Sequence, residues 1–230
     1  MNQYEGPTID VVCSEGFVPP SGLSRSIARA LSWIEPVDLT GLKSILLFEQ
    51  LPFTTPGKNL DLDNAIRNGL LLFAAYNSRS ASEPPHIFLI MSNLYKPIPG
   101  FLCHSSAFTL WIAENIAHEV GHHLIAEKRF TLQPKADGSG LENEEEFADR
   151  YASSVIARMK SSRRYMFGSF LLAVAAELNY GKGVRSWKKG KYQIAADFFY
   201  LATQLRRDHA EAGFWFWKAK ERASQGTAAT

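Results

Sequence analysis

One stretch of the chain carries residues that could bind a metal ion and activate water. His118, Glu119 and His122 occur in the order His-Glu-Val-Gly-His. If this stretch is helical, the two histidines lie on one face and can direct two imidazole nitrogens at one point. Zn²⁺ accepts neutral imidazole readily and in catalytic sites holds three protein ligands plus a water. The spacing therefore predicts a zinc site.

Glu119 has the position expected of a general base. Its carboxylate follows the first histidine directly, so it can flank a water activated by the metal without becoming a ligand. Zinc lowers the pKa of such a water to about 7 and polarises a peptide carbonyl, which allows Glu119 to accept the water's proton during attack. The same five-residue pattern also occurs as solvated residues on ordinary helices. Whether it marks a metal site here therefore depends on the flanking segments.

Two predicted helices would position the site. The first runs from Ser106 to about Lys128, and a polar connection containing Pro134 and Asp137–Gly140 leads to the second, from about Glu142 to Lys160. The first helix has an extensive apolar side: Phe108, Trp111, Ile112, Ile116, Val120 and Leu124. Because unpaired polar groups are costly on a buried helix, its histidines and glutamate need partners or a function.

Glu145 is the preferred third ligand. It shares a helical face with Ala148, Asp149 and Ala152, whose alanines are small enough for close helix packing. Gly121, which lacks a Cβ, should ease the same approach. Asp149 lies one turn further on and is placed to accept a hydrogen bond from the other ring nitrogen of a ligand histidine, which fixes the tautomer.

The two motifs resemble those of the gluzincin metallopeptidases. HEVGHH followed by EEFADRYA is similar to the compact bacterial group that includes the ImmA and IrrE regulatory peptidases, over residues 113–156. The resemblance implies a zincin-like fold, Glu119 as the base, and three zinc ligands, His118, His122 and Glu145. Asp149 stands where those peptidases usually carry Asn, so their substrates cannot be carried over to this chain.

Other site candidates are weaker. His104, just before the first helix, and Tyr151, on the second, are candidate oxyanion stabilisers, although Tyr151 also suits a core position. His123 projects about 100° away from its neighbouring ligand, which predicts a surface or hydrogen-bonded role. A substrate chain in this class of peptidase commonly pairs with a strand edge, for which Ile87–Met91 and Phe101–His104 are both candidates.

The predicted fold class is α+β for residues 1–160, the metallopeptidase domain. A helix is expected within 21–35, strands at Ser44–Phe48 and Ile87–Met91, and either strand or helix at Leu70–Ala75. Two segments dense in Pro, Gly, Ser and Asn are expected to be loops: Pro52–Gly57 and Asn77–Pro85.

Residues 161–230 are predicted to form a helical appendage, with Tyr165–Ala223 helical apart from interruptions at its glycines. Small and aromatic positions here resemble one tetratricopeptide repeat: Gly183, Gly190, Tyr192, Ala195, Phe199 and Ala202. A single copy is weak evidence, since such repeats normally stack at least three deep. Of the aromatic run that follows, Phe214 and either Trp215 or Trp217 are expected to pack onto the metallopeptidase half.

The charge distribution and the cysteine content indicate which partners and which cellular compartment suit this protein. Up to residue 157 the chain has 11 basic and 18 acidic residues, and from Arg158 onward it has 14 basic and 5 acidic. The basic half suits a solvated helical surface, or a docking face for an acidic protein or nucleic acid. Cys13 and Cys103 are expected to be free thiols. With neither a signal peptide nor a membrane span in the sequence, the prediction is a soluble, cytoplasmic protein.

The predicted function is zinc-assisted hydrolysis of a peptide bond in a specific protein substrate. One rival is a non-enzymatic helical interaction module with a structural or degenerate metal site, in which His123 or a second glutamate takes the fourth place. The other rival is a regulator that binds nucleic acid through the basic half, whose binding should weaken steeply with salt.

Overall fold

The computed structural model describes residues 9–50, 72–78, 84–130, 132 and 141–227. Within those residues the fold is α+β, as predicted, with a mixed four-stranded sheet and seven α-helices. The strands are β1 (Asp10–Cys13), β2 (Ser44–Phe48), β3 (Ala74–Asn77) and β4 (His86–Ile90). The helices are α1 (Leu23–Leu31), α2 (Met91–Tyr95), α3 (Ser106–Ala126), α4 (Glu144–Lys160), α5 (Arg163–Lys188), α6 (Tyr192–Leu205) and α7 (Ala210–Thr227).

The sheet has the strand order β1-β2-β4-β3. β1, β2 and β4 are parallel, whereas β3 runs antiparallel to β4. Ile45 and Leu47 of β2 and Ile87 and Leu89 of β4 are fully buried and belong to the same hydrophobic core as α3. β3 is thus the edge strand on the side of the sheet that contacts α3.

Both strand-edge candidates for substrate pairing were wrong. Ile87–Met91 corresponds to β4, which lies between β2 and β3 and has no open edge. Phe101–His104 overlaps a single 3-10 turn at Gly100–Leu102 rather than a strand. The edge that borders the motif helix is β3, in the region for which the sequence favoured neither strand nor helix. The expected loop Pro52–Gly57 and the connection with Pro134 and Asp137–Gly140 lie outside the described residues.

The central helix α3 carries the HExxH motif. Ser105 caps it, since the serine hydroxyl accepts hydrogen bonds from the backbone N–H of Ala107 and of Phe108 at 3.1 and 3.4 Å. The helix packs against α1, β3, α4 and α5, so most of its circumference is buried. Trp111 is nearly inaccessible to solvent, and its indole N–H donates to the carbonyl of Leu94 at 3.0 Å.

The second motif helix, α4, begins at a capping box in which Asn143 and Glu146 bond each other's backbone N–H groups at 2.9 Å. It packs closely on α3 because Gly121 faces Ala148. A Cβ added at Gly121 would lie 2.6 Å from the Cα of Ala148 and 3.0 Å from its Cβ. The predicted close approach at Gly121 is confirmed.

The C-terminal helices share a core with the sheet. Tyr165 and Leu172 of α5 and Leu205 of α6 belong to the same buried cluster as the strands and α3. α5 continues through its glycines to Lys188, contrary to the predicted interruptions at 181 and 183, and the chain turns at Gly190, where φ is +70°. The division into residues 1–160 and 161–230 stays a prediction, as does the tetratricopeptide likeness.

The aromatic run on α7 packs differently from the expectation. Phe214 and Trp217 are 60% and 67% exposed, and Trp215 packs against Trp187 of α5 with the ring centroids 5.2 Å apart. Trp215 therefore packs within the helical segment itself. Cys13 and Cys103 are free thiols, as expected. Among the described residues, no helix is both long and apolar enough to cross a membrane.

Candidate metal centre

His118, His122 and Glu145 meet at one point between α3 and α4. Nε2 of His118 lies 3.2 Å from Nε2 of His122. Glu145 reaches both rings, with one carboxylate oxygen 3.3 Å from His118 Nε2 and the other 3.4 Å from His122 Nε2. One ligand atom from each residue lies within 4.8 Å of the other two. In the part of the chain that the structure describes, this is the single such group of three.

The spacing of these atoms fits Zn²⁺. Zinc–ligand bonds of about 2.0 to 2.1 Å at tetrahedral angles put two ligand atoms roughly 3.3 to 3.4 Å apart. The two histidine Nε2 atoms are 3.2 Å apart, and each lies 3.3 or 3.4 Å from a different oxygen of Glu145. The donor set of two imidazoles and one carboxylate is also one that catalytic zinc uses. The three residues could therefore hold a zinc ion between them.

Asp149 lies behind the first ligand. Its Oδ1 is 2.8 Å from Nδ1 of His118, a short ion-pair contact that is not well aligned as a hydrogen bond. The same carboxylate oxygen contacts Nη1 of Arg207, which also binds Glu114 through Nε at 3.0 Å. Asp149 thus occupies the place predicted for it, whereas Arg207 and Glu114 were missed by the sequence analysis.

The two missed residues each left a weak signal in the sequence. Glu114 lies one turn before His118 on the same face of α3, so it belongs to the ligand stripe by spacing alone. Arg207 belongs to the basic half, and the opposite net charges of the two halves predict ion pairs between them. No sequence pattern, however, shows which of the fourteen basic residues contacts the site. Its partner could be found only in the folded chain.

Glu119 is buried beside the ligand pair and is only 7% exposed. The backbone N–H of Tyr76, in β3, donates a hydrogen bond to its carboxylate. Burial raises the pKa of Glu119 to about 7, with the charge on Glu145 adding to the rise and His118 opposing it. A carboxylate with this pKa can exchange a proton with water near neutral pH.

The charged groups around the ligand residues shift one another's pKa values. Burial lowers the pKa of His118, but the contacts with Asp149 and Glu145 outweigh burial and raise it to about 10. The contact with His118 lowers the pKa of Glu145. Burial raises the pKa of Asp149, yet His118 and Arg207 together bring it down to about 2. Glu145 and Asp149 therefore place negative charge beside His118, which favours a cation at this point.

His123 is fully buried and does not face the ligand group. Its Nε2 donates to the carbonyl of Thr40 at 3.0 Å, and its Nδ1 accepts from the hydroxyl of Tyr76 at 3.1 Å. Burial lowers the pKa of His123, so the ring is neutral with its proton on Nε2. The hydrogen-bonded role is the one observed, and it ties β3 to α3 next to Glu119.

The structure does not bring the two candidate oxyanion stabilisers to the site. Tyr151 donates its hydroxyl proton to Asp38 at 2.6 Å, on the side of α4 away from the ligands. His104 lies beside Gly22, before the start of α3. With about 1.5 Å of rise per residue, the 12 residues from Ser106 to His118 separate it from the ligands by roughly 18 Å.

The ligand group opens into a cleft of about 880 Å³. One side is the edge strand β3 with its flanking residues, Leu72 to Ser78. The other sides come from α3, from the start of α4 and from α6, and Arg207 lies at the margin. Phe73, Trp111 and Tyr200 form an aromatic end wall. A cleft of this size accommodates a short peptide segment or a small molecule.

Replacing Gly121 by alanine is expected to lower the free energy of unfolding by about 1 to 3 kcal/mol, because the added Cβ overlaps the backbone of Ala148. Zinc affinity should fall as well, since separating α3 from α4 moves Glu145 away from the histidines. Urea denaturation of the metal-free protein and a zinc titration measure the two effects.

Gly181→Ala is the matched control for this prediction. Gly181 also lies within a helix, but a Cβ there meets nothing within 4 Å. This variant should gain about 0.5 to 1 kcal/mol of stability from the helical preference of alanine. Equal behaviour of the two variants would contradict the tight packing at Gly121.

No protein-family model, curated protein or solved structure matches this chain. The resemblance to gluzincins therefore stays a prediction based on the motifs at residues 118–123 and 145–152. What the site can do follows from the types, distances and burial of its own residues.

Proposed function

We propose that this chain is a zinc-dependent metallopeptidase with a zincin-like catalytic unit, acting on a specific protein substrate. The observation that carries the proposal is the close grouping of His118, His122 and Glu145, in which both Nε2 atoms lie within 3.4 Å of the Glu145 carboxylate and 3.2 Å of each other. When bound, zinc would supply a Lewis acid for the peptide carbonyl and a water of pKa about 7. The described part of the chain offers three protein ligands, the number found in catalytic rather than structural zinc sites.

Glu119 is the general base in this proposal. Its carboxylate accepts a proton from the attacking water and then donates it to the nitrogen of the leaving amine. The carboxylate is buried and accepts a hydrogen bond from the N–H of Tyr76, and in the metal-free protein burial raises its pKa to about 7. His123 supports this arrangement indirectly because it fixes the Tyr76 side chain.

The substrate is proposed to bind as an extended chain along β3. A strand at the edge of a sheet offers backbone N–H and C=O groups to an added strand, and β3 borders the cleft over the ligand group. Phe73 and Tyr200, at the aromatic end wall, favour an apolar substrate side chain at that position. The cleft is open to solvent, which suits a segment within a longer chain.

The two rival functions have less support. A structural zinc site needs a fourth ligand, and the candidate His123 has both ring nitrogens occupied by Thr40 and Tyr76. A nucleic-acid surface needs lysines or arginines that are available to phosphates. Three of the fourteen basic residues from Arg158 onward, Arg158, Arg206 and Arg207, form intramolecular ion pairs with carboxylates, so this rival depends on the others.

The proposed activity is tested with metal-free protein and a library of peptides from a digested proteome. With one equivalent of zinc, new peptide termini should appear and should be detected by mass spectrometry. Excess chelator should suppress these termini, and added zinc should restore them. Zinc bound at one equivalent without any new terminus would favour the non-catalytic interaction module instead.

A further inference from the structure

Arg207 connects the C-terminal helices to both helices of the metal centre. It lies in the turn between α6 and α7, with Nε 3.0 Å from Oε1 of Glu114 and Nη1 2.5 Å from Oδ1 of Asp149. Glu114 belongs to α3 and Asp149 to α4. One guanidinium group therefore bridges the two helices that supply all three ligand residues, and a planar fork of N–H donors is suited to such a bridge.

Asp149 connects the Arg207 bridge to the ligand His118. Its Oδ1 contacts both Arg207 and Nδ1 of His118. A carboxylate behind a histidine ligand fixes the ring's orientation and tautomer and increases its basicity. The Asp149 side chain is 47% exposed, so without a second contact it would have rotational freedom at the protein surface. The contact with Arg207 removes that freedom.

Arg207 also offsets the local excess of negative charge. Burial raises the pKa of Glu114, and the charge on Asp149 adds to that rise, whereas Arg207 acts in the opposite direction on both carboxylates. Because Glu114 and Asp149 already engage two of its nitrogens, Arg207 is poorly suited to capture an anionic group of a substrate. The geometry favours a role in holding the site.

The turn that carries Arg207 is itself well anchored. Leu205 is buried in the main core, and Nδ1 of His209 accepts a hydrogen bond from the backbone N–H of Ala212 at 3.3 Å. Arg206 faces the other way and pairs with Glu177 at 3.2 Å and with Asp208 at 3.1 Å. Arg207 is thus presented to the metal centre by a fixed backbone.

We infer that Arg207 is a positioning residue of the metal centre and holds Asp149 against His118. Through Arg207, the C-terminal helical segment contributes to the geometry of the site. This inference rests on the proposed zinc site and extends it to residues beyond 160. It predicts that a change at Arg207, which is not itself a ligand, weakens metal binding through Asp149.

Zinc affinity of Arg207→Ala, measured by competition with a chromophoric chelator at one pH near neutrality, is expected to fall about tenfold. The visible spectrum of the Co²⁺-loaded variant should shift, because the ring of His118 is no longer held in one orientation. Arg206→Ala is the matched control, since its side-chain exposure of 43% is close to the 45% of Arg207. Its zinc affinity and Co²⁺ spectrum should equal those of the wild type.

A double-mutant cycle shows whether the effect passes through Asp149. In an Asp149→Ala background, Arg207→Ala is expected to reduce zinc affinity by less than about twofold, because the contact it supports is already absent. Arg207→Lys should recover part of the affinity, since an ammonium group can pair with one of the two carboxylates but cannot bridge both.

Wild-type zinc affinity in Arg207→Ala, or an equal loss in Arg206→Ala, would overturn the inference. If Arg207→Ala does not fold, Arg207→Gln keeps the length of the side chain and provides the same comparison, with unchanged affinity again counting against the role. A wild-type protein that binds no zinc would defeat the proposed function itself, and so differs from a failure confined to Arg207.

Discussion

Replacing Glu119 by glutamine is expected to reduce peptide hydrolysis about 10³-fold while one equivalent of zinc stays bound. Glutamine keeps the size of the side chain and can accept a hydrogen bond from the N–H of Tyr76, but it cannot take a proton from water. General bases contribute about 10² to 10⁴ in rate, which sets the expected size of the loss. Rates of peptide cleavage and zinc content measured on the same preparation give both quantities.

Glu127→Gln provides a control on the same helix. Glu127 caps the C-terminal end of α3 and lies near Gly41 rather than in the cleft, so this variant should cleave at the wild-type rate. Undiminished cleavage by Glu119→Gln would remove Glu119 as the base. Loss of zinc from Glu119→Gln would instead assign the residue to the binding of the metal.

Replacing Glu145 by alanine is expected to weaken zinc binding at least about 100-fold, more than the loss from an outer residue such as Asp149. Among the residues that the structure describes, its carboxylate is the acidic group found within 3.4 Å of both Nε2 atoms. Without it, two imidazoles alone hold the ion, and peptide cleavage should be lost at the zinc concentration that saturates the wild type. Equilibrium competition with a chelator measures this change.

Glu144→Ala is the matched control because it removes the adjacent carboxylate of the same helical turn. Glu144 lines the cleft but is not part of the ligand group, so zinc affinity should stay within about twofold of the wild type. If instead Glu144→Ala abolished binding and Glu145→Ala did not, the face of α4 that meets the histidines would have been misassigned.

Residues whose positions follow from helical periodicity could be predicted from the sequence. His118 and His122 are four residues apart on α3, and Glu145 and Asp149 repeat that spacing on α4. Gly121 of α3 and Ala148 of α4 permit close contact between the two helices. Helical periodicity alone determines which residues share a face of α3 or of α4. The small residues on those faces then indicate that the two helices pack against each other.

Residues that arrive from distant parts of the chain could not be predicted. Tyr76 reaches Glu119 because β3 is the edge strand next to α3, and strand order depends on the whole sheet. Arg207 reaches Asp149 only after α5 and α6 have packed on the main core. His104 and Tyr151 are close to the ligands in sequence, but the length of α3 and the orientation of α4 keep them away from the ligands.

Anomalous diffraction at the zinc absorption edge, recorded from crystals grown with one equivalent of zinc, tests the metal centre most directly. We expect one strong anomalous peak, about 2.0 to 2.1 Å from Nε2 of His118 and of His122 and about 2.0 to 2.2 Å from a carboxylate oxygen of Glu145, with a solvent molecule in the fourth position. A peak located elsewhere, or one whose fourth position is filled by a protein side chain, would contradict the catalytic zinc site.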